Sequence, residues 1–404
     1  MSKILILFFL IFISCDRVHT VKFDEYIDTE SKQIKQQTKQ EFNIKNKGIY
    51  ISNKFDGARL NDLQELNDST AVLIIRPENQ PINMSSYYAF KAWTDTAQTY
   101  YFKFQYPKGY KHRYIPKLKI KNKWSIIDST NIFRKDSIIT IKLNLTKTPQ
   151  TVAAQEIQTT TDVKKWYSQL VENNKDIIEF INYGKTPLGK SMPVLSISNG
   201  ARQGKDVVVL LTRQHPPELT GYFAFQVFLE TILEESQLSK KFLDKYHILA
   251  FPILNPDGVD LGHWRHNSNG IDLNRDWSVY NQPEIKSTVN YIHERLKENN
   301  ADLVLGLDFH STTHDVFYTN EERAKTAFPN FIDDWFTSLE ENIPNYEVNE
   351  SANNSNKPVS KGWFLYGHNA VGITYEIGDD TPKDRIKTIA KISANQMMKL
   401  LNKY

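Results

Sequence analysis

Asp206-Val-Val-Val-Leu-Leu-Thr-Arg-Gln-His-Pro-Pro-Glu218 is the stretch whose reading decides the fold. Its first half, through Thr212, is a short β-branched run bounded by polar residues, which predicts a buried strand. Beyond the prolines, Leu219 to Glu235 carries apolar residues at Phe223, Phe225, Val227, Phe228, Ile232 and Leu233, which predicts a helix. His215 and Glu218 therefore fall on the turn where a strand hands over to a helix, the place where open α/β sheets bind ligands. An imidazole and a carboxylate fixed there by two stiff prolines can fill two positions of a tetrahedral metal. Such H-x-x-E pairs are frequent by chance, so the rest of the chain has to supply a third ligand and the groups of a hydrolase.

Outward from this stretch, the pattern is consistent. Asp162-Val-Lys-Lys-Trp-Tyr-Ser-Gln-Leu170 reads as a capped helix, and strands then alternate with helical stretches to the C-terminus. That alternation predicts an α/β layer fold with a mostly parallel sheet. Residues 46–150 look different. Ala71–Ile75, Tyr87–Trp93, Thr99–Phe104 and Ser137–Leu143 are β-branched or aromatic, partly alternating and separated by turn clusters, which predicts a small β-sandwich. Asn349-Glu-Ser-Ala-Asn-Asn-Ser-Asn356 is a polar, low-complexity stretch and is expected to be a mobile loop.

The third ligand should come from another strand end on the same edge. Ala301–Phe309 is a buried strand, and His310 follows it directly. His314, four residues on, reads as a supporting or solvent-facing residue, since an i, i+4 pair chelates well only on a helix; His263 and His266 are further bystanders. His215, Glu218 and His310 would leave the fourth position open for water, the pattern of a catalytic site. Arg265, Asn274 and Arg275 sit on a loop leaving the sheet. Arg275 can form a two-pronged pair with a substrate carboxylate, assisted by Asn274. Arg265 can donate to an oxygen that becomes negative during attack on a carbonyl. Surface arginine is common, so each of these residues taken alone reads first as a salt-bridge or solvent group. Glu376 lies inside the apolar run Ala370-Val-Gly-Ile-Thr-Tyr-Glu-Ile-Gly378, where an unpartnered carboxylate is costly, and it is the expected base.

The ordered set His215-x-x-Glu218, Asn255-Pro-Asp-Gly258, Arg265, Asp272-Leu-Asn-Arg275, His310 and Thr374-Tyr-Glu376 resembles the zinc metallocarboxypeptidase family, the carboxypeptidase A superfamily, over roughly residues 155–404. The strings Arg213–Glu218 and Asn255-Pro-Asp-Gly-Val-x-Leu-Gly262 are similar to its cytosolic-carboxypeptidase-like branch, which also carries a β-sandwich ahead of the catalytic domain. The resemblance implies an α/β/α catalytic sandwich and one Zn2+ per chain held by His215, Glu218 and His310. It further implies Glu376 as general base, Arg265 beside the oxyanion, and Asn274 and Arg275 gripping a terminal carboxylate, hence an exopeptidase. The family's mobile tyrosine would be Tyr366 by proximity. Its specificity position, fifteen residues before the catalytic glutamate, is Lys361, which would favour an acidic C-terminal side chain; the alternative is a solvent-facing lysine.

Composition bounds the setting. The chain has 404 residues, 50 basic and 47 acidic side chains and a formal charge of +3, so no general nucleic-acid footprint is expected. Met1-Ser-Lys3 followed by the apolar run Ile4–Ile13 and Ser14-Cys15 reads as a signal peptide, residues 1–15. Cys15 is the only cysteine and resembles the lipidation site of a bacterial lipoprotein, which would anchor the chain to a membrane of the cell envelope, periplasmic or surface-exposed. Residues 16–45, rich in Lys and Gln, are expected to form a polar tether between anchor and protein. The expected partners are C-termini of peptides or proteins. Peptidoglycan stem peptides are the alternative substrate, and a non-catalytic peptide-binding lipoprotein on the same scaffold is the alternative class.

Overall fold

The computed structural model describes residues 20–136, 138–353 and 356–404. The signal segment and Cys15 lie outside the described residues. None of the described helices is long and apolar enough to cross a membrane.

Strand Asp206–Thr212 lies inside an eight-stranded sheet. Its side chains alternate between two buried layers, with Val208 and Leu210 on one side and Val207, Val209 and Leu211 on the other. A strand covered on both faces has no polar side to show, which is why its sequence is an unbroken apolar run. Tyr246–Phe251 and Leu303–Thr312 flank it, and Val371–Gly378 pairs with the latter; all these pairings are parallel. Antiparallel strands Ile178–Lys185 and Ser191–Ile197 extend one side, and Val316–Thr319 pairs antiparallel to Val371–Gly378 on the other. Helices Leu219–Ile232, Phe331–Asn342 and Lys383–Leu401 cover one face. Pro283–Asn299 and Ser360–His368 cover the opposite face. The result is an α/β/α sandwich with a mixed, mostly parallel sheet, as the alternation of elements predicts.

Between Glu41 and Ala153 a six-stranded and a five-stranded sheet enclose a second core. Strand Gln98–Gln105 shows the expected alternation, with Tyr100, Phe102 and Phe104 buried. Trp264, from the C-terminal half of the chain, is fully buried in this same core.

Two expectations need correction. Far from hanging free as a tether, the chain from Thr20 to Gln40 lies along the protein. Thr29 is buried and donates to Asp276 at 2.5 Å, while Gln37 donates to the carbonyls of Ala58 and Leu261. Polar side chains hydrogen-bonded to a buried carboxylate and to backbone carbonyls hold this strap in place, a role that composition does not distinguish from solvation. The polar stretch at 349–356 is not wholly a loop either. Glu350–Ala352 adds an edge strand parallel to Val316–Thr319, where polar side chains suit an exposed sheet margin.

Candidate metal centre and cleft

Strand Asp206–Thr212 ends one residue before Arg213, which adopts φ 60°, a left-handed conformation uncommon for a side-chain-bearing residue. Its guanidinium donates to the carbonyls of Gln158 and Pro216, which holds the turn. Pro216 and Pro217 follow, and Glu218 is the N-cap of helix Leu219–Ile232. That helix approaches the neighbouring strand closely: a Cβ on Gly221 would run into the carbonyl oxygen of His310. A glycine is required there, and the close approach brings Glu218 against the end of Leu303–Thr312.

His215, Glu218 and His310 converge as buried groups whose ligand atoms all lie within 4.8 Å of one another. Nδ1 of His215 is 2.9 Å from Glu218 Oε1, Nδ1 of His310 is 2.6 Å from Oε2, and the two Nδ1 atoms face each other at 3.1 Å. The outward nitrogens are held as well. His215 Nε2 is hydrogen-bonded to Asp272 Oδ1 at 2.8 Å, and His310 Nε2 lies 2.9 Å from Asp308 Oδ2, an ion-pair contact without hydrogen-bond geometry. A proton on each Nε2 facing its carboxylate leaves both Nδ1 lone pairs aimed at the shared space, the arrangement of carboxylate-backed metal ligands. Burial opposes ionisation of Glu218, but His215 and His310 outweigh it and hold the carboxyl well below its usual range. Burial opposes a charge on His310, but Asp308 and Glu218 outweigh it and lift the imidazole well above its ordinary value, so a metal that takes its Nδ1 must displace a proton there.

Glu376 stands on the strand next to His310, in register with it. Its Oε2 is buried with no hydrogen-bond partner among the described residues. Burial, and then the negative charge of Glu218, push its carboxyl up to about 8. A cation among the three ligands would supply the missing counter-charge. Two imidazole nitrogens and one carboxylate, backed by Asp272 and Asp308 and faced by an orphaned carboxylate, fit zinc.

These residues open into a cleft of about 620 Å3. Arg265 lines it, with Nε donating to Asp272 Oδ2 at 2.7 Å. Asn274 lines it too; its Oδ1 accepts from the Ser360 backbone at 2.9 Å, which leaves its amide protons for a ligand. Arg275 is part-exposed, donates to the Asn274 carbonyl and lies 3.9 Å from Asp272. Lys361 lies buried in the lining rather than facing solvent; Nζ donates to the Thr319 carbonyl and Asn320 Oδ1. Burial lowers its ammonium to about 7.

Tyr366 is a correction. It lies on the outer side of its helix, 40% exposed, packed edge-on against Phe23 at 5.5 Å, and is not part of the cleft wall. Its contact with Phe23 of the strap turns the ring away from the cleft, although Trp363, three positions earlier on the same helix, is buried. Tyr318 is the tyrosine in the lining. His314 is exposed; His263 and His266 are buried in the loop behind Arg265.

Sequence reasoning missed Asp308 and the contribution of the N-terminal sheets. Asn83, Met84, Ser85, Lys111 and Arg113 form one wall of the cleft. Arg113 bridges the two halves, pairing with Asp379 at 2.7 Å and donating to the Ser311 carbonyl. Such partners are distant in the chain and carry no local motif.

Comparison with known proteins agrees with this geometry. A family profile described as zinc carboxypeptidase matches residues 163–396. The chain belongs to that family. Among characterised relatives, human cytosolic carboxypeptidase 2 is 32% identical over 137 residues, which is 32% of this chain and 15% of the human protein. A cytosolic carboxypeptidase-like protein 5 from Danio rerio is 34% identical over 27% of this chain and 13% of its own length. The chain thus matches only a minor part of these curated relatives. Among solved structures, a metallo-carboxypeptidase from Burkholderia cenocepacia aligns over 88% of this chain and 98% of its own, with TM-score 0.71 and 16% identity. One from Pseudomonas aeruginosa, in complex with (2-guanidinoethylmercapto)succinic acid, aligns over 87% and 98%, with TM-score 0.69 and 18% identity. The fold of this zinc carboxypeptidase family member is therefore shared along nearly the whole described chain, β-sheets included.

Proposed function

We propose that this protein is a zinc-dependent carboxypeptidase that removes the C-terminal residue of peptides or proteins and favours acidic residues there. The observation that carries the reading is the single cleft holding the buried His215–Glu218–His310 cluster, the unpaired Glu376 carboxylate and the Arg265, Asn274 and Arg275 donors.

The division of labour follows from the chemistry of each group. Bound zinc supplies a Lewis acid able to lower the pKa of water to about 7. Glu376 takes the proton of the attacking water and later delivers it to the leaving amine. Arg265, a guanidinium fixed on Asp272, donates to the oxygen that becomes negative. Arg275 and Asn274 bind the terminal carboxylate, which places the last peptide bond at Glu376 and excludes amidated ends. Lys361, inside the wall, faces an acidic side chain while charged. Full-length protein loaded with zinc, given free-acid and amidated versions of one peptide ending in Glu, tests this. Release of Glu from the free acid alone is expected, and equal cleavage of both would sink the exopeptidase reading.

The location follows from the sequence. Lipidation at Cys15 would hold the enzyme in the bacterial cell envelope, where peptide C-termini, and peptidoglycan stem peptides as a second class, are within reach. Metabolic labelling with a palmitate analogue, lost in Cys15→Ser, is the expected result.

A further inference from the structure

The carboxylate of Glu78 lies far from the reacting groups in sequence, on the segment that follows strand Thr70–Ile74 of the N-terminal sheets, yet the loop that carries Arg265 is built around it. Its Oε1 accepts from the backbone N–H of Arg265 at 3.0 Å and of His266 at 2.7 Å. Its Oε2 accepts from the N–H of Trp264 at 2.8 Å and from Arg59 at 3.1 Å. Three consecutive amides on one buried carboxylate fix a backbone in position and orientation. Burial works against the charge, but His263 and Arg59 outweigh it and hold the carboxyl at about 2, so it is an anion at any physiological pH.

The neighbouring contacts point the same way. Trp264 plugs the core between the N-terminal sheets, 5.4 Å from the Tyr110 ring. Asn79 faces His266 Nδ1 at 2.5 Å and donates to the Gly270 carbonyl at 2.9 Å. The loop so clamped continues to Asp272, which holds both Arg265 and His215.

We infer that Glu78 is a positioning residue for Arg265: the β-sandwich acts on catalysis by locking the backbone from which the oxyanion-stabilising guanidinium projects. The inference rests on the proposed role of Arg265. A donor displaced by about 1 Å can cost on the order of 100-fold in rate, so a lost clamp acts on turnover more than on binding.

A double-mutant cycle on the zinc-loaded full chain tests it, with kcat and KM for a free-acid peptide, zinc content and thermal midpoint read for each protein. Glu78→Gln should lower kcat about 10- to 100-fold with little change in KM or zinc content. In an Arg265→Ala background it should add little further loss. Full kcat in Glu78→Gln, or losses that multiply in the double variant, would overturn the inference. Should Glu78→Gln fail to fold, Asn79→Ala, at a half-buried side chain, enters the same cycle with the same expected pattern in milder form. An Arg265→Ala protein with normal kcat would instead defeat the underlying role of Arg265, so the two failures are distinct.

Discussion

His215 turns its Nε2 onto Oδ1 of Asp272 at 2.8 Å, which leaves its Nδ1 facing Glu218 and His310. The same carboxylate accepts from Arg265 Nε through Oδ2 and from the Asn274 N–H through Oδ1. One side chain therefore contacts the proposed metal ligand His215, the proposed oxyanion donor Arg265 and the backbone of Asn274, the start of the proposed carboxylate clamp. Burial penalises its charge, but Arg265, His215 and Arg275 hold it well below the usual carboxylate range. Asp272→Ala is expected to weaken zinc binding by about 10- to 100-fold, read by competition with a chelator. Unaltered affinity would show that His215 needs no support.

Glu376→Gln should retain one zinc per chain and lose turnover by at least about 100-fold, because the amide cannot take a proton. Steady-state rates with metal analysis on the same sample decide it; near-normal rates would assign the base elsewhere.

The close approach at Gly221 predicts a cost in stability. A Cβ there meets the His310 carbonyl, so Gly221→Ala must push the helix off the strand. A destabilisation of about 1–3 kcal/mol in urea unfolding is expected, together with looser zinc binding, since Glu218 caps that helix. An unchanged midpoint would mean that the helix and strand adjust freely.

Lys361 gives a pH-dependent specificity. Burial lowers its ammonium to about 7, so the charge is present below that value and lost above it. The ratio of kcat/KM for C-terminal Glu over C-terminal Leu should fall as pH rises through about 7, and Lys361→Met should flatten that dependence. A ratio indifferent to both pH and substitution would remove Lys361 from specificity.

Much of this site is legible in the chain because its groups sit at the ends of buried strands. A strand such as Leu303–Thr312 has an apolar run that can be read, and His310, which the run predicts just beyond the strand, lies inside it near its end. The order His215, Glu218, Arg265, Asn274, Arg275, His310 and Glu376 then carried the rest. What stayed hidden depends on packing between distant segments. Asp308 is one more residue of an apolar strand until its contacts with His310, Gln214 and Ser360 are seen. Glu78 and Arg113 come from the other core. Tyr366 failed because proximity in sequence does not fix which side of a helix faces the cleft, and the Thr20–Gln40 strap because polar composition suits both solvent and a hydrogen-bonded surface.

The most direct test of a zinc carboxypeptidase built on this cleft is mass spectrometry of a mixed peptide library incubated with the full chain carrying one zinc. Stepwise loss of single C-terminal residues, richest for Glu and Asp and abolished by a chelator, is the predicted result. Internal cleavage, equal processing of amidated ends, or no release despite stoichiometric zinc would contradict it.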